Sequence, residues 1–199
     1  IADMDAYRQE LSQFVWKTGF VMRPVFDQAR ADPRRVAYTD GEDERVLHAV
    51  QAAFDEGLAK PILIGRRAVV QSRIERLGLR IQLDRDVELV DPERDDRYHE
   101  YWTYYYKLMA RNGVSPDYAR RVVRTRTTVI GALMLSRGEA DAMICGANGR
   151  YPTHLPALFN IIGRAPGVAR AAALSMLILP KGTFFLCDPY VNPGPNAEQ

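Results

Sequence analysis

Apolar residues along this chain follow two spacings, and each spacing predicts a different kind of element. Apolar positions three and four residues apart predict amphipathic helices, whereas short apolar runs bounded by glycine or proline predict buried strands. We expect Gly19 to separate the first two helices and Pro24 to lie in the first turn of the second. The predicted helices cover residues 4–15, 20–31, 41–56, a segment that ends at 77, 98–109, 116–136 and 153–162, and the predicted strands cover residues 35–39, 60–64, 87–90 and 141–145.

The order of these elements indicates an α/β protein. Strands and helices alternate up to residue 146, which predicts a mostly parallel sheet covered by helices on both faces. Two later apolar segments, residues 171–179 and 183–187, are joined by a Pro180-Lys181-Gly182 turn and predict a hairpin. The hairpin breaks the alternation, so we expect a second subdomain to begin near residue 150.

Composition and charge narrow the class of protein. With 199 residues, 47% of them hydrophobic and 26% charged, the chain is typical of a globular protein with one or two domains. A net charge of +2 and scattered arginines argue against a nucleic-acid partner. Because no apolar run has the length of a membrane span and no signal peptide opens the sequence, we expect a cytoplasmic protein with no membrane partner.

The residues that most often bind metals give no sign of a metal site. Cys145 and Cys187 lie inside apolar runs, so we expect buried, reduced thiols rather than a disulfide or a metal pair. His48 and His99 have no partner at metal-ligand spacing. Neither a G-x-G-x-x-G motif nor a Walker loop is present.

Two groups of residues admit a functional or a structural interpretation. Glu42 or Asp43, at the end of the first strand, could act as an acid or base. Acidic residues in the first turn of a helix are also favoured by its dipole, and we prefer that capping role. The aromatic face at residues 98–105 could stack a base, but such a stripe is more often core or a subunit interface.

The strongest candidate ligand site lies in the loops after two late strands. Arg150, Tyr151 and His154 follow the fourth strand, and Asp188 and Asn192 follow the last one. Loops at the ends of buried strands are where α/β proteins usually place ligands, so we predict ligand contacts at these five positions. Arg150 could contact an anion near free backbone N–H groups, or it could be an exposed loop residue.

Segments across nearly the whole chain resemble the phosphotransacetylase family, and they are most similar to the version fused to the C-terminus of bacterial NADP-dependent malic enzymes. The order of the motifs makes the resemblance specific. The opening segment, MDAYRQELSQFVWKTGFVMRPVFDQARADP, is similar to the connector that follows the catalytic part of those enzymes. The other segments are GEDERVLHAVQAAFDEGLAKPILIGR, RTRTTVIGALMLSRGEADAMICG, RAPGVARAAALSMLILPKGTFFLCD and VNPGPNAEQ.

The resemblance implies a fold and a domain organisation. The family fold is a three-layer α/β/α sandwich with two subdomains, of the kind shared with isocitrate and isopropylmalate dehydrogenases, and its homo-oligomers join through the second subdomain. In this chain, residues 1–32 would form a helical connector, 33–149 the first subdomain and 150–199 the truncated start of the second. The sequence begins at Ile1 rather than Met and stops at what reads as a helix start, so we expect a fragment.

The loop after the fourth strand departs from the transferases of this family. They carry His-(Ser/Thr)-Thr-Ala there, followed shortly by Arg-Pro, whereas this chain has residues 149–152 and then Pro156-Ala157. The small hydroxyls and the arginine that would meet phosphate are missing, so no catalytic residue is expected in this chain. Gly149-Arg150-Tyr151 with His154-Leu155 is instead similar to the malic enzyme version.

Two functions follow from the resemblance. The first is a regulatory domain that responds to acetyl-CoA or a related metabolite, without a cofactor of its own. The longer protein would oxidatively decarboxylate malate to pyruvate with NADP and a divalent metal, Mg²⁺ or Mn²⁺, using residues outside this chain. The alternative is an active phosphate acetyltransferase, which moves an acetyl group between CoA and phosphate.

Overall fold

The computed structural model describes residues 19–168, 170–179, 181–188 and 191–192. Residues 29–163 form one compact unit, and the described residues before 29 and after 163 form another. The helix that we expected to open a second subdomain near residue 150 belongs to the first of these units. The helix predicted over residues 4–15 lies outside the described residues.

Strands and helices alternate along the chain, as the spacing of the apolar residues predicts. The strands are β1 (Arg34–Tyr38), β2 (Ala59–Ile64), β3 (Glu88–Val90), β4 (Ala142–Ile144), β5 (Leu174–Leu179) and β6 (Gly182–Cys187). The helices are α1, described over residues 19–31, α2 (Glu44–Asp55), α3 (Arg67–Leu77), α4 (Tyr98–Met109), α5 (Pro116–Thr125), α6 (Thr127–Ser136) and α7 (Tyr151–Ile161). A short 3-10 turn, Ala110–Asn112, follows α4.

The first four strands form one parallel sheet in the order β3-β2-β1-β4. Tyr38 at the end of β1 lies level with Leu63 of β2 on one side and with Ile144 of β4 on the other. Because β4 joins the opposite side of β1 from β2, the topological switch point lies between β1 and β4. The loops that follow these two strands therefore meet at the carboxyl edge of the sheet.

Two hydrophobic cores cover the two faces of this sheet. Neighbouring strand residues such as Ala37 and Tyr38 point to opposite faces, because side chains alternate along a strand. The face with Ala37 packs against α4, α5, α6 and α7, and the face with Tyr38 packs against α2 and α3. The predicted three-layer α/β/α arrangement is confirmed.

Helix α6 lies inside one of these cores, which explains its apolar sequence. Its residues from Thr128 to Met134 are all buried, and a helix that is apolar all round is a buried one. Gly131 permits a close approach to the end of β1, because a Cβ atom there would lie 2.7 Å from the methyl carbon of Thr39. A larger residue at position 131 would push α6 away from the sheet.

Two helix predictions are wrong in detail. The single helix predicted over residues 116–136 is broken at Arg126, whose extended backbone (φ −121°, ψ 94°) ends α5 and begins α6. The break lets the arginine-rich α5 stay at the surface while α6 enters the core. Gly19 is itself helical, so Pro24, five residues further along the same helix, does not lie in its first turn. The prediction that Gly19 separates this helix from the one over residues 4–15 involves residues outside the described ranges. The helix continues through Pro24 without the N–H group that proline lacks.

In the other unit, β5 and β6 form the predicted antiparallel hairpin. Met176 lies opposite Phe185 on one face, and Leu177 lies opposite Phe184 on the other face, so both faces are apolar. The prediction that both cysteines are buried is wrong for Cys187, which lies exposed at the end of β6, whereas Cys145 is half-buried; both thiols are free. None of the helices in the described part of the chain combines the length and hydropathy of a membrane span.

Candidate functional site

Loops from the carboxyl ends of the four parallel strands enclose a cleft of about 550 Å³. This volume falls in the range of small-molecule sites, and the carboxyl edge at a switch point is where open α/β sheets bind ligands. The residues that line the cleft are Thr39, Asp40, Glu42, Asp43, Ile64, Gly65, Arg66, Arg73, Pro92, Glu93, Arg124, Thr125, Thr127 and Asn148.

Asp40 connects the loop after β1 to the loop after β4. One of its carboxylate oxygens accepts hydrogen bonds from the backbone N–H groups of Gly146 (3.0 Å) and Ala147 (3.2 Å). Gly146 has a φ of +90°, a left-handed conformation that glycine adopts at no steric cost. Successive N–H groups that point at one oxygen form a concavity of the kind that binds anions. In this chain Asp40 itself fills that concavity.

Asp43 and Arg45 add a second connection between the same loops. Asp43 caps α2 by accepting the Arg45 N–H (2.9 Å), which confirms the capping interpretation, and it also accepts from the Asn148 amide (3.0 Å). Arg45 donates to the Asp43 carboxylate (3.0 Å) and to the carbonyl of Ala147 (2.7 Å). The hydrogen bond from the Arg45 guanidinium holds the pKa of Asp43 well below its usual range, so Asp43 is ionised at neutral pH.

Glu42 is committed to an ion pair with Arg66. Both carboxylate oxygens accept from the Arg66 guanidinium at 2.8 Å, and one also accepts the Arg66 backbone N–H at 3.0 Å. The side-chain hydrogen bonds lower the pKa of Glu42 and raise the pKa of Arg66. General acid–base catalysis favours a group whose pKa lies near the working pH, so this geometry does not support an acid–base role for Glu42.

His154 supports the loop after β4 from helix α7. Its Nε2 lies 2.8 Å from the carbonyl oxygen of Asn148, and its Nδ1 lies 2.8 Å from the hydroxyl of Thr128. Because a carbonyl can only accept, we assign the proton to Nε2, and Nδ1 accepts from the Thr128 hydroxyl. Gly149 lies against the ring, since a Cβ atom there would be 2.9 Å from Nε2. Both ring nitrogens of this predicted ligand residue thus hold the loop in place.

Arg150 and Tyr151 are exposed at the start of α7. Arg150 occupies the N-cap position without a capping side chain, and the Tyr151 side chain is 47% exposed. Across the described residues, the Arg150 guanidinium has no hydrogen bond or ion pair. Pro152 has no N–H group and the Thr153 N–H donates to the Arg150 carbonyl (2.9 Å), so an anion at this helix start would be bound mainly by the guanidinium. The anion contact at Arg150 stays a prediction.

Asp188 and Asn192 bond to one another in the other unit. Asp188 follows β6 and accepts the backbone N–H groups of Val191 (3.1 Å) and Asn192 (3.0 Å). The Asn192 side chain donates to Asp188 (2.7 Å) and to the carbonyl of Ala171 (2.8 Å). These hydrogen bonds tie Asn192 to Asp188 and to the segment before β5, and the predicted ligand role of the two residues stays a prediction.

The phosphate acetyl/butaryl transferase family matches residues 20–199. The chain belongs to this family. The resemblance that its sequence motifs indicate is therefore confirmed, and with it the α/β/α fold that the family implies.

Malic enzymes and phosphotransacetylases are both among the proteins similar to this family member. An NADP-dependent malic enzyme of Escherichia coli (strain K12) is 49% identical over the whole chain, and an NAD-dependent malic enzyme of Rhizobium meliloti (strain 1021) is 52% identical over it. The chain spans 26% of the length of each of these two relatives. A solved phosphotransacetylase from Staphylococcus aureus shares the fold, with a TM-score of 0.75 and 22% identity over 86% of this chain and 51% of that chain.

Sequence reasoning gave no role to several residues that shape the site. Asp40 could have been identified from the sequence, because it is an acidic residue that lies directly between a predicted strand and a glycine. Arg45 and Ala147 are 102 residues apart, and the Thr128–His154 contact is also long-range, so neither pair can be read from local spacing. No group of three or more His, Cys, Asp or Glu side chains within the described ranges could hold a metal ion.

Asp43→Asn should lower the free energy of unfolding at pH 7 by about 0.5–1 kcal/mol, the range for an ion pair that solvent partly screens. Asparagine still caps a helix, so the change isolates the carboxylate charge. Because the folded-state pKa of Asp43 is lowered, its contribution is present above the unfolded pKa of about 4 and is lost as the pH falls through the folded pKa. The difference in the free energy of unfolding between the parent and the variant, measured with urea, should be smaller at about pH 2 than at pH 7.

Asp96→Asn is the matched control, since Asp96 is exposed and has no hydrogen bond or ion pair among the residues that the structure describes. This variant should leave the free energy of unfolding unchanged at both pH values. An Asp43→Asn effect of equal size at pH 7 and at about pH 2 would contradict the ionic role.

Proposed function

We propose that this chain is a regulatory, acetyl-CoA-responsive domain of a malic enzyme. The observation that carries the proposal is an identity of 49–52% over the whole chain to malic enzymes that use NADP or NAD. In this proposal the longer protein oxidatively decarboxylates malate to pyruvate with NADP and a divalent metal, Mg²⁺ or Mn²⁺. The catalytic groups for that reaction lie outside this chain.

The geometry of the loop after β4 supports binding rather than acetyl transfer. Transfer to phosphate needs free donors that stabilise a charged tetrahedral intermediate. The N–H groups of Gly146 and Ala147 are already bonded to Asp40. Pro156 lies in α7 where the resemblance places the phosphate-binding arginine of the transferases, and proline has no cation to replace it.

We place a charged group of the effector at the Arg150 guanidinium, with Tyr151 beside it. His154 contributes by holding the loop, and Asp188 and Asn192 remain proposed contacts in the other unit. An effector can change activity only if it binds two conformational states unequally. The His154–Thr128 hydrogen bond joins this loop to the buried helix α6, which supports a route by which a shift of the loop reaches the core.

An active phosphate acetyltransferase is the second candidate function. The family match over residues 20–199 favours it. A phosphate acetyltransferase of Nitratidesulfovibrio vulgaris, 30% identical over 88% of this chain, favours it as well. This candidate requires oxyanion donors outside the loop just described.

We further propose that the β5–β6 hairpin forms part of a homo-oligomer interface. Phe185 is 61% exposed on one face of the hairpin, and Phe184 is 50% exposed on the other. A two-stranded hairpin is marginally stable in water unless further structure covers an apolar face. Contiguous exposed apolar residues of this kind mark interaction surfaces.

The double substitution Phe184→Asp with Phe185→Asp should convert the full-length protein to a smaller species in analytical ultracentrifugation, because each new carboxylate would be buried without a partner at the interface. Thr183→Asp on the same strand replaces a residue that is already polar and should leave the sedimentation coefficient unchanged. An unchanged coefficient for the double variant would place the oligomer interface elsewhere.

Deletion of residues 1–199 from the full-length protein should leave NADP-dependent malate oxidation measurable but insensitive to acetyl-CoA. Typical allosteric coupling of about 1–3 kcal/mol corresponds to a shift of roughly 5- to 150-fold in affinity for the intact enzyme. Steady-state assays of both proteins with and without acetyl-CoA test this. Retained sensitivity after deletion would refute the regulatory assignment, and formation of acetyl phosphate from acetyl-CoA and phosphate by the intact protein would establish the second candidate.

Arg150→Ala should weaken acetyl-CoA binding by about 1.5–3 kcal/mol, which is the usual contribution of a hydrogen bond to a charged group. Isothermal titration calorimetry of the full-length protein measures this loss. Arg111→Ala, which removes an exposed arginine on the 3-10 turn, is the control and should bind as the parent does. Equal affinities of the parent and the Arg150 variant would show that Arg150 is an exposed loop residue with no part in binding acetyl-CoA.

A further inference from the structure

Most of the carboxylates at the cleft are engaged by hydrogen bonds or ion pairs within the chain. Asp40 accepts two backbone N–H groups, Glu42 is paired with Arg66, and Asp43 is paired with Arg45. Glu93 is exposed, and its negative charge contributes to the raised pKa of Arg66. Three of the four carboxylates that line the cleft are thus already held by partners within the chain.

Two arginines at the cleft have no comparable partner. Arg73 of α3 is half-buried, and its positive charge contributes to the lowered pKa of Glu42. Its guanidinium makes no hydrogen bond with any described residue. Arg124 of α5 is exposed and likewise makes no hydrogen bond or ion pair in the described ranges. Both line the cleft together with the hydroxyl-bearing residue Thr127 at the start of α6. The guanidinium groups that are free in the cleft are therefore carried by helices α3 and α5.

Arg124 is positioned before any ligand arrives. Its guanidinium carbon lies 4.6 Å from the centre of the Tyr98 ring, and the Tyr98 hydroxyl is itself fixed by donating to the carbonyl of Arg120 at 2.9 Å. A guanidinium stacked on an aromatic face keeps its N–H donors free at the edge of its plane. Two of these donors can bind an oxyanion in bidentate geometry. Stacking also reduces the side-chain freedom that binding would otherwise remove.

The two other arginines of α5 that lie against aromatic rings are either paired or outside the cleft. Arg120 lies 4.4 Å from the Trp102 ring, but it is paired with Asp117 at 2.9 Å. Arg121 lies 5.3 Å from the Tyr118 ring and does not line the cleft. Arg124 alone of these three combines a stacked guanidinium, free donors and a place in the cleft.

We propose that this cleft binds the phosphoryl group of a small metabolite through Arg124 and Arg73, with Thr127 as a further hydrogen-bonding residue. A phosphoryl group fits because it carries up to two negative charges for two guanidinium groups and presents several acceptor oxygens. The cleft volume of about 550 Å³ accommodates a small metabolite as well as its phosphoryl group. This site is separate from Arg150 and does not depend on a response to acetyl-CoA.

Isothermal titration calorimetry of the full-length protein with inorganic pyrophosphate tests the proposal. Arg124→Gln and Arg73→Gln should each weaken pyrophosphate binding at least about tenfold, the loss expected for one hydrogen bond to a charged group. Arg124→Lys keeps the charge but loses the planar fork, so its affinity should lie between those of the parent and Arg124→Gln. Arg121→Gln removes a stacked arginine of the same helix outside the cleft and should bind as the parent does.

Three outcomes would overturn the proposal. The first is equal pyrophosphate affinity for the parent and both glutamine variants. The second is an equal loss in the Arg121→Gln control, which would show a general effect of net charge. The third is malonate binding as tightly as pyrophosphate, which would assign the cleft to dicarboxylates. A thermal unfolding midpoint close to that of the parent confirms that each variant is folded.

Discussion

The contact between the loops after β1 and β4 is the constraint on which the site depends. Strand β4 has only three residues and lies at the edge of the sheet, so it positions the following loop weakly by itself. The carboxylate of Asp40 supplies the missing support by accepting the N–H groups of Gly146 and Ala147. Arg45 and His154 hold the same loop from α2 and α7. The shape of the cleft follows from these connections.

This arrangement changes where the chain can recognise an anion. A loop whose backbone N–H groups are free can bind phosphate directly, but here a carboxylate of the chain already occupies those donors. Recognition must then come from side chains, and the guanidinium groups of Arg73, Arg124 and Arg150 have no hydrogen-bond partner among the described residues. Loss of free backbone donors supports our proposal that the domain binds a ligand without transforming it.

The alternation of apolar positions was enough to predict the fold, because the parallel sheet and its two cores follow from strand and helix spacing. It could not predict the break at Arg126, since both sides of the break keep apolar residues at helical spacing and only burial of α6 separates them. Arg150 could be proposed from the sequence because it lies at a strand-to-helix junction, and its contact with an anion stays a prediction. Asp40 and Arg124 were not assigned a role, because their roles depend on strand order and on packing between helices.

The charges around the cleft bear on the proposal that an anion binds there. Hydrogen bonds from Arg45 and Arg66 lower the pKa values of Asp43 and Glu42, so both carboxylates stay ionised through the neutral range. A modest change of pH near neutrality therefore leaves these two ion pairs intact. An anionic ligand, in contrast, would add negative charge beside Arg66 and Arg124 and compete with Glu42 for the Arg66 guanidinium. The proposal of an anionic ligand fits these charges, because protonation of the two carboxylates does not take place near neutral pH.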